Sequence, residues 1–278
     1  MMTYSINIKG RLLELDTPLV MGILNATPDS FHSASRVTSE GVVARARQMV
    51  ADGAAILDVG ACSTRPGSEP VSKQEELARL HSVLSLLDRE LPDAVVSVDT
   101  FRGDVAREVV REHNVSIIND VSAYEWDDQM LQAVADLNVP YVLTHSVGFA
   151  GNKVCYDDFL PQVLQRLASK MWQLHQLGVK DVIVDPGFGF GKSVEQNYTM
   201  LDNLREFAML DAPILVGVSR KSMITKLLGI SAAESLSGTV ALNMVALMGG
   251  AHILRVHDVK EAVDTVKLFI AMKGCVLK

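Results

Sequence analysis

Short apolar runs rich in β-branched residues alternate along this chain with longer amphipathic stretches. Eight runs stand out: Leu19–Leu24, Ala55–Val59, Ala94–Val98, Ser116–Ile118, Tyr141–Leu143, Val182–Val184, Ile214–Val218 and His252–Val256. Hydrophobicity within each is nearly continuous, the pattern of a strand covered on both faces. The stretches between them predict helices over Gly41–Ala51, Gln74–Leu87, Val105–Glu112, Gln162–Leu177 and Val259–Met272. Ser72-Lys73-Gln74-Glu75 has capping-box spacing and marks a helix start. Ahead of the first run, SINI and RLLEL flank Lys9-Gly10, which predicts a β-hairpin.

Each run stops on a polar residue: Asn25, Asp58, Asp99, Asn119, His145, Asp185, Lys221 and His257. The intervals are 33, 41, 20, 26, 40, 36 and 36 residues, each long enough for a crossover helix back to a parallel neighbour. Eight such units predict a TIM (β/α)8 barrel, with an N-terminal hairpin over 1–17 and the barrel over 18–278 as one domain. A doubly wound sheet is the competing fold; it rarely repeats so evenly, and its Gly-rich first turn is missing.

Composition narrows the function. At 48% hydrophobic and 21% charged the chain is of ordinary globular type, and its formal charge of −7 argues against a general nucleic-acid binder. Three scattered cysteines, Cys62, Cys155 and Cys275, make neither a disulfide framework nor a zinc knuckle. The opening MMTYSINIKGR lacks the apolar core of a signal peptide, and a cytoplasmic protein is expected. Ser235–Leu254 carries no formal charge, but Gly249-Gly250 breaks it, so a buried helix followed by a strand fits better than a membrane span.

In a barrel of this kind the carboxyl ends of the strands form the active face. Asp and Asn also cap helices, so any one of these residues has capping as an equal reading. Lys221, Arg255 and the two histidines cap nothing, and the full set tilts toward a site. LNATPDSF places a turn beyond Asn25, and DVGACSTRPGSEP sets Thr64 and Arg65 as anion or substrate contacts. DPGFGFGKS fails as a Walker loop, because Pro186 stands where the first glycine belongs; it is read as a flexible loop presenting Phe190 and Lys192 over a pocket. Strand alternation puts Arg255 and His257 on one side, and with Lys221 they form a cluster suited to a diphosphate. Asp58, Asp99 and Asp185 form an acidic wall that needs a polar or cationic partner. Neither a zinc motif nor a G-x-S-x-G nucleophile elbow occurs, which disfavours Ser219 or Ser222 as nucleophile. A Mg²⁺ held on substrate phosphates and touching Asn25 fits the donor set.

GILNATPDSF, DVGACSTRPG, SVDT, INDVS, DPGFGFGKS, VGVSRKS and HILRVHDV, in this order and spacing, closely resemble the dihydropteroate synthase family over roughly Met21 to Val259. The resemblance implies condensation of dihydropterin-methyl diphosphate with 4-aminobenzoate on a TIM barrel. It implies that Asp99, Asn119, Asp185 and Lys221 hold the pterin, and that Arg255 lies against the ring. Arg255, Asn25, Thr64 and His257 would lie near the diphosphate, with Asn25 also meeting Mg²⁺. Thr64, Arg65, Pro66, Phe190, Lys221 and Ser222 would border the aminobenzoate, while Asp58 is a further site aspartate. Asp99, Lys221 and Arg255 are the expected catalytic set. A homodimer through helices late in the barrel is expected, with neither nucleic-acid nor membrane partners.

Three stretches depart from the family pattern. His32–Ser35 replaces a Ser-Asp-Gly-Gly-like stretch and lacks the acid expected near Ser33; Cys62 stands where Glu is common; Thr144–Asn152 replaces a Met-rich loop. Two rival readings are a pterin-binding methyltransferase domain, which would not need TPDSF, STRPG or SRKS, and a non-catalytic pterin-binding paralogue.

Overall fold

The structure, a computed structural model, describes residues 3–26, 39–62, 71–147 and 159–274. The chain opens with the expected hairpin: β1 (Ser5–Ile8) pairs antiparallel with β2 (Arg11–Glu14), Ile8 opposite Arg11. Lys9 and Gly10 carry the turn at φ 50° and 88°. Two positive φ values in succession give a turn whose twist matches that of the strands it joins.

Eight parallel strands follow: β3 (Leu19–Asn25), β4 (Ile56–Gly60), β5 (Val95–Asp99), β6 (Val115–Asp120), β7 (Tyr141–Thr144), β8 (Val182–Asp185), β9 (Leu215–Val216) and β10 (Ile253–Val256). Their order is β8-β7-β6-β5-β4-β3-β10-β9. The seam between the last and first is closed by a bridge between Val184 and Ile214, with the Val184 amide donating to the Pro213 carbonyl at 2.9 Å. The barrel expectation holds, and the doubly wound alternative, whose edges stay apart, does not.

The strand alternation explains both the core and the site. Met21, Ile56, Val95, Ile117, Val142, Ile183, Leu215 and Ile253, one from each strand, point inward and share a cluster with Ile6, Ile8 and Leu15. The hairpin therefore plugs the barrel where the strands begin. Residues of opposite parity, such as Val20, Leu57, Val96 and Leu143, join the outer core beneath the helices. Counting two residues onward from the inward layer gives Ile23, Asp58, Ser97, Asn119, Thr144, Asp185, Gly217 and Arg255. The bore thus changes from aliphatic to polar within one pleat repeat, about 7 Å of strand.

Nine helices among the described residues cover the barrel: α1 (Ser39–Ala51), α2 (Lys73–Glu90), α3 (Gly103–Glu112), α4 (Gln129–Leu137), α5 (Phe159–Gln176), α6 (Val194–Asp202), α7 (Ser222–Leu228), α8 (Leu236–Met248) and α9 (Val259–Met272). The Ser235–Leu254 stretch resolves into α8 followed by β10, as expected. Only half of the predicted capping box at Ser72 forms: Ser72 Oγ accepts from the Glu75 amide at 3.2 Å, but the Glu75 carboxylate turns to Arg79 Nε at 2.7 Å. The reciprocal box sits at α6, between Ser193 and Gln196. Among the described residues, no helix is long and apolar enough to cross a membrane.

Candidate active site

Much of the polar layer connects through Asp58, which is fully buried. Its Oδ1 accepts from Ser97 Oγ at 2.7 Å, and its Oδ2 from Asn119 Nδ2 at 3.0 Å and Arg255 Nε at 2.7 Å. Arg255 Nη2 reaches across to Asp99 Oδ2 at 2.8 Å. One guanidinium therefore spans two carboxylates, which is the partner the acidic wall required. Burial first, then the neighbouring Asp58 charge, push the Asp99 carboxyl up to about 7 against the pull of Arg255. Burial disfavours the charged Arg255, but Asp58 and Asp99 outweigh it and raise its pKa above the usual value. Of the expected Lys221, Arg255 and His257 cluster, Arg255 is also ion-paired with two aspartates.

Asp185 and Lys221 form the facing half. Lys221 stands just before α7 without a side-chain capping bond; its Nζ donates to the Phe188 carbonyl and lies 4.5 Å from the centre of the Phe190 ring. Burial brings its ammonium down to about 8, although Asp185 and Asp99 favour the charge. Burial likewise raises the Asp185 carboxyl, against Lys221 and the Gly187 amide that binds it at 2.7 Å. Phe190 is half-buried, and Ser222 is exposed at the start of α7.

The glycine-rich segment departs from its predicted role. Lys192 does not project over the pocket; its Nζ donates to the carbonyls of Gly187 at 2.7 Å, His145 at 2.8 Å and Phe190 at 3.4 Å. Asn197 Oδ1 accepts from the Gly189 amide at 2.7 Å. Gly187 stands at φ 74°, where a β-carbon would lie 1.9 Å from the His145 carbonyl oxygen. The segment is a pinned platform, not a flexible loop. His145 itself lies on the α5 side: burial, then Lys192, Arg166 and Lys170, hold its imidazole neutral with a pKa of about 2.

Two contacts join the last strand ends. His257 Nδ1 meets Ser219 Oγ at 3.0 Å, and Arg220 grips Asp258 through Nε at 2.9 Å and Nη2 at 2.6 Å. On the adjoining strands, Asn25 and Asp99 flank Gly60, whose missing side chain keeps the space between them open. Asn25 offers a single neutral oxygen, and the described residues contain no group of three or more His, Cys, Asp or Glu placed to hold a metal. That donor set fits Mg²⁺ carried on phosphate oxygens and water, with one protein ligand, rather than a resident metal.

Thr64, Arg65 and Pro66, the 27–31 turn, the His32–Ser35 departure, positions 148–152, Cys155 and Cys275 lie outside the described residues. What flanks the 63–70 stretch was not foreseen. Glu76 on α2 is fully buried, ion-paired with Arg102 and bonded by Thr100 Oγ1 at 2.7 Å. Arg102 Nη2 then holds the Val71 carbonyl at 2.8 Å, and Arg79 Nη1 the Ala61 carbonyl at 3.2 Å. Ser97 and the Phe188 carbonyl also escaped sequence reading, as did the contact of Ser219 with His257. Ser97 alone had a signal, since it shares strand parity with Asp99.

Carboxylates and an amide arrayed around a guanidinium can grip the edge and face of a flat nitrogen heterocycle, while lysine and histidine offer charge to an anion. The family model described as "Pterin binding enzyme" matches residues 21–257. The Escherichia coli (strain K12) dihydropteroate synthase is 40% identical over 266 residues, covering 94% of this chain and 93% of that one. The Yersinia pestis dihydropteroate synthase solved with a sulfonamide drug superposes with TM-score 0.91 at 35% identity, covering 98% and 100%. The Xanthomonas albilineans enzyme with 4-aminobenzoic acid gives TM-score 0.91 at 38% identity, covering 98% and 99%. A polar ring matched to a flat heterocycle, a closed barrel and near full-length similarity converge: the chain belongs to the pterin binding enzyme family, among the dihydropteroate synthases.

Proposed function

We propose that this chain condenses (7,8-dihydropterin-6-yl)methyl diphosphate with 4-aminobenzoate to give 7,8-dihydropteroate and diphosphate. The observation that carries the reading is the Asp58–Arg255–Asp99 bridge, with Asn119 in the same lattice and Asp185 and Lys221 on the facing wall. Asp99, Asn119, Asp185 and Lys221 hold the pterin edges, and the Arg255 guanidinium lies against its face. The methylene C–O bond breaks and its electron pair leaves on diphosphate, while the pterin delocalises the cation left behind. Lys221, Arg255 and His257 meet the departing negative charge, and Asp99 the positive charge developing on the ring. The arylamine nitrogen then forms the C–N bond and releases its proton to solvent or diphosphate. Asn25 would be the protein ligand of a Mg²⁺ carried on the diphosphate, which would supply charge neutralisation there. Thr64, Arg65, Pro66, Phe190 and Ser222 border the 4-aminobenzoate, and Asp58 acts by holding Arg255.

The same reading makes 1–278 one domain, with the hairpin over 1–17 and the barrel over 18–278, in a cytoplasmic protein that pairs as a homodimer. Support for pairing comes from apolar side chains left exposed on three late helices: Leu227 and Leu228 on α7, Val245 and Met248 on α8, Leu268 and Met272 on α9. The test is to incubate the protein with both substrates and Mg²⁺, following diphosphate release and dihydropteroate together. Formation of both, lost on chelation with EDTA, is expected. Substrate binding without product would favour a non-catalytic paralogue.

A further inference from the structure

We propose that the side-chain hydroxyl of Thr144 hydrogen-bonds the pterin head group and helps set its affinity; this inference rests on the function proposed above and deepens it. Thr144 ends β7 and pairs directly with Asp185 on β8. Val142 belongs to the inward aliphatic cluster, whereas Tyr141 and Leu143 belong to the outer core. Side chains on a strand alternate between faces, so Thr144 points into the bore. It stands in the layer that also carries Asp58, Asn119, Asp185 and Arg255.

Thr144 is fully buried, and its Oγ1 has no hydrogen-bond partner among the described residues. Every other polar side chain of that layer has one: Ser97, Asn119 and Arg255 converge on Asp58, and Asp185 takes the Gly187 amide. Three further buried atoms without partners, Ser122 Oγ, His145 Nδ1 and Asn243 Oδ1, are not on inward strand positions. A buried hydroxyl with nothing to bond is unfavourable, and valine would fill the same volume without that cost. Packing therefore gives no reason for threonine here, whereas a ligand edge does. A hydroxyl both donates and accepts, so it can meet either an N–H or a ring nitrogen beside the group bound by Asp185.

The experiment compares wild type with Thr144→Val and Thr144→Ser, using 6-hydroxymethylpterin, which carries the ring without the diphosphate. Calorimetric titration should show about tenfold weaker binding for Thr144→Val, and Thr144→Ser within about twofold of wild type. Ligand-free Thr144→Val should melt at or above the wild-type temperature, because the unsatisfied hydroxyl is gone. In turnover, KM for the pterin substrate should rise with little change in kcat, and KM for 4-aminobenzoate should stay put. Thr144→Ala is a second hydroxyl-free variant should the valine fail to fold. Equal pterin affinity in wild type and the hydroxyl-free variants overturns the role of Thr144 and leaves the proposed function standing. No pterin binding by folded wild type overturns both.

Discussion

Replacing Asp99 with asparagine isolates one ionisation at the heart of the site. In the native protein this carboxyl titrates near 7 instead of its usual 3.8, chiefly because it is buried. A pKa raised on folding means the native state holds a proton that the unfolded chain has released between these two values. Stability from this group is complete below about pH 4 and is lost as pH rises through about 7. The difference corresponds to about 4 kcal/mol at most, at about 1.4 kcal/mol per pH unit. The Asp99→Asn amide has nothing to titrate, and Arg255 keeps its bonds to Asp58. Urea unfolding of both proteins, at steps between about pH 5 and about pH 8, should therefore show the variant gaining on wild type as pH rises and levelling off above neutrality. Turnover should fall by about a hundredfold or more, since charge facing the developing cation is lost. Stability curves that run parallel over that range would refute the reasoning: Asp99 would then be an ordinary ionised carboxylate, and its burial irrelevant.

Other outcomes follow from the same contacts. Arg102→Ala leaves Glu76 buried with Thr100 as its remaining bonded partner among the described residues, and should cost about 3–5 kcal/mol by chemical denaturation. Gly187→Ala should abolish the native platform and soluble expression, because its β-carbon meets the His145 carbonyl. Gly229→Ala, at φ 65° in open space, should lose only about 1 kcal/mol. Lys192→Met strands three carbonyls and should lower the melting temperature, by an amount equivalent to about 2–3 kcal/mol, more than it changes substrate KM.

The barrel was legible because its strands are apolar on both faces, and each run, from Leu19 to Val256, stops on a polar residue at crossover spacing. α4, α6 and α7 were harder to see: seven to nine residues give little helical periodicity, although Ser193 and Gln196 held a readable capping box. The candidate site followed from position at the strand ends, and in the structure strand parity puts Asp58, Asn119, Asp185 and Arg255 in one layer. Pairing did not. That Arg255 binds Asp58 and Asp99, 197 and 156 residues away, depends on which strands become neighbours when the sheet closes. Lys192 was misjudged because the left-handed glycines before it turn the Gly187 and Phe190 carbonyls toward the spot that the His145 carbonyl faces from the end of β7, and an ammonium satisfies all three.

The hairpin plug has a consequence for synthesis on the ribosome. Ile6, Ile8 and Leu15 are made about two hundred residues ahead of Leu215 and Ile253, which belong to the aliphatic cluster that receives them. At about 5–20 residues per second, the nascent hairpin waits for tens of seconds with Ile6 and Ile8 uncovered. For that interval it is an exposed β-ribbon with an apolar face, open to chaperones and to other nascent chains. The segment that seals the finished barrel is thus the one in most need of protection while the barrel is being made.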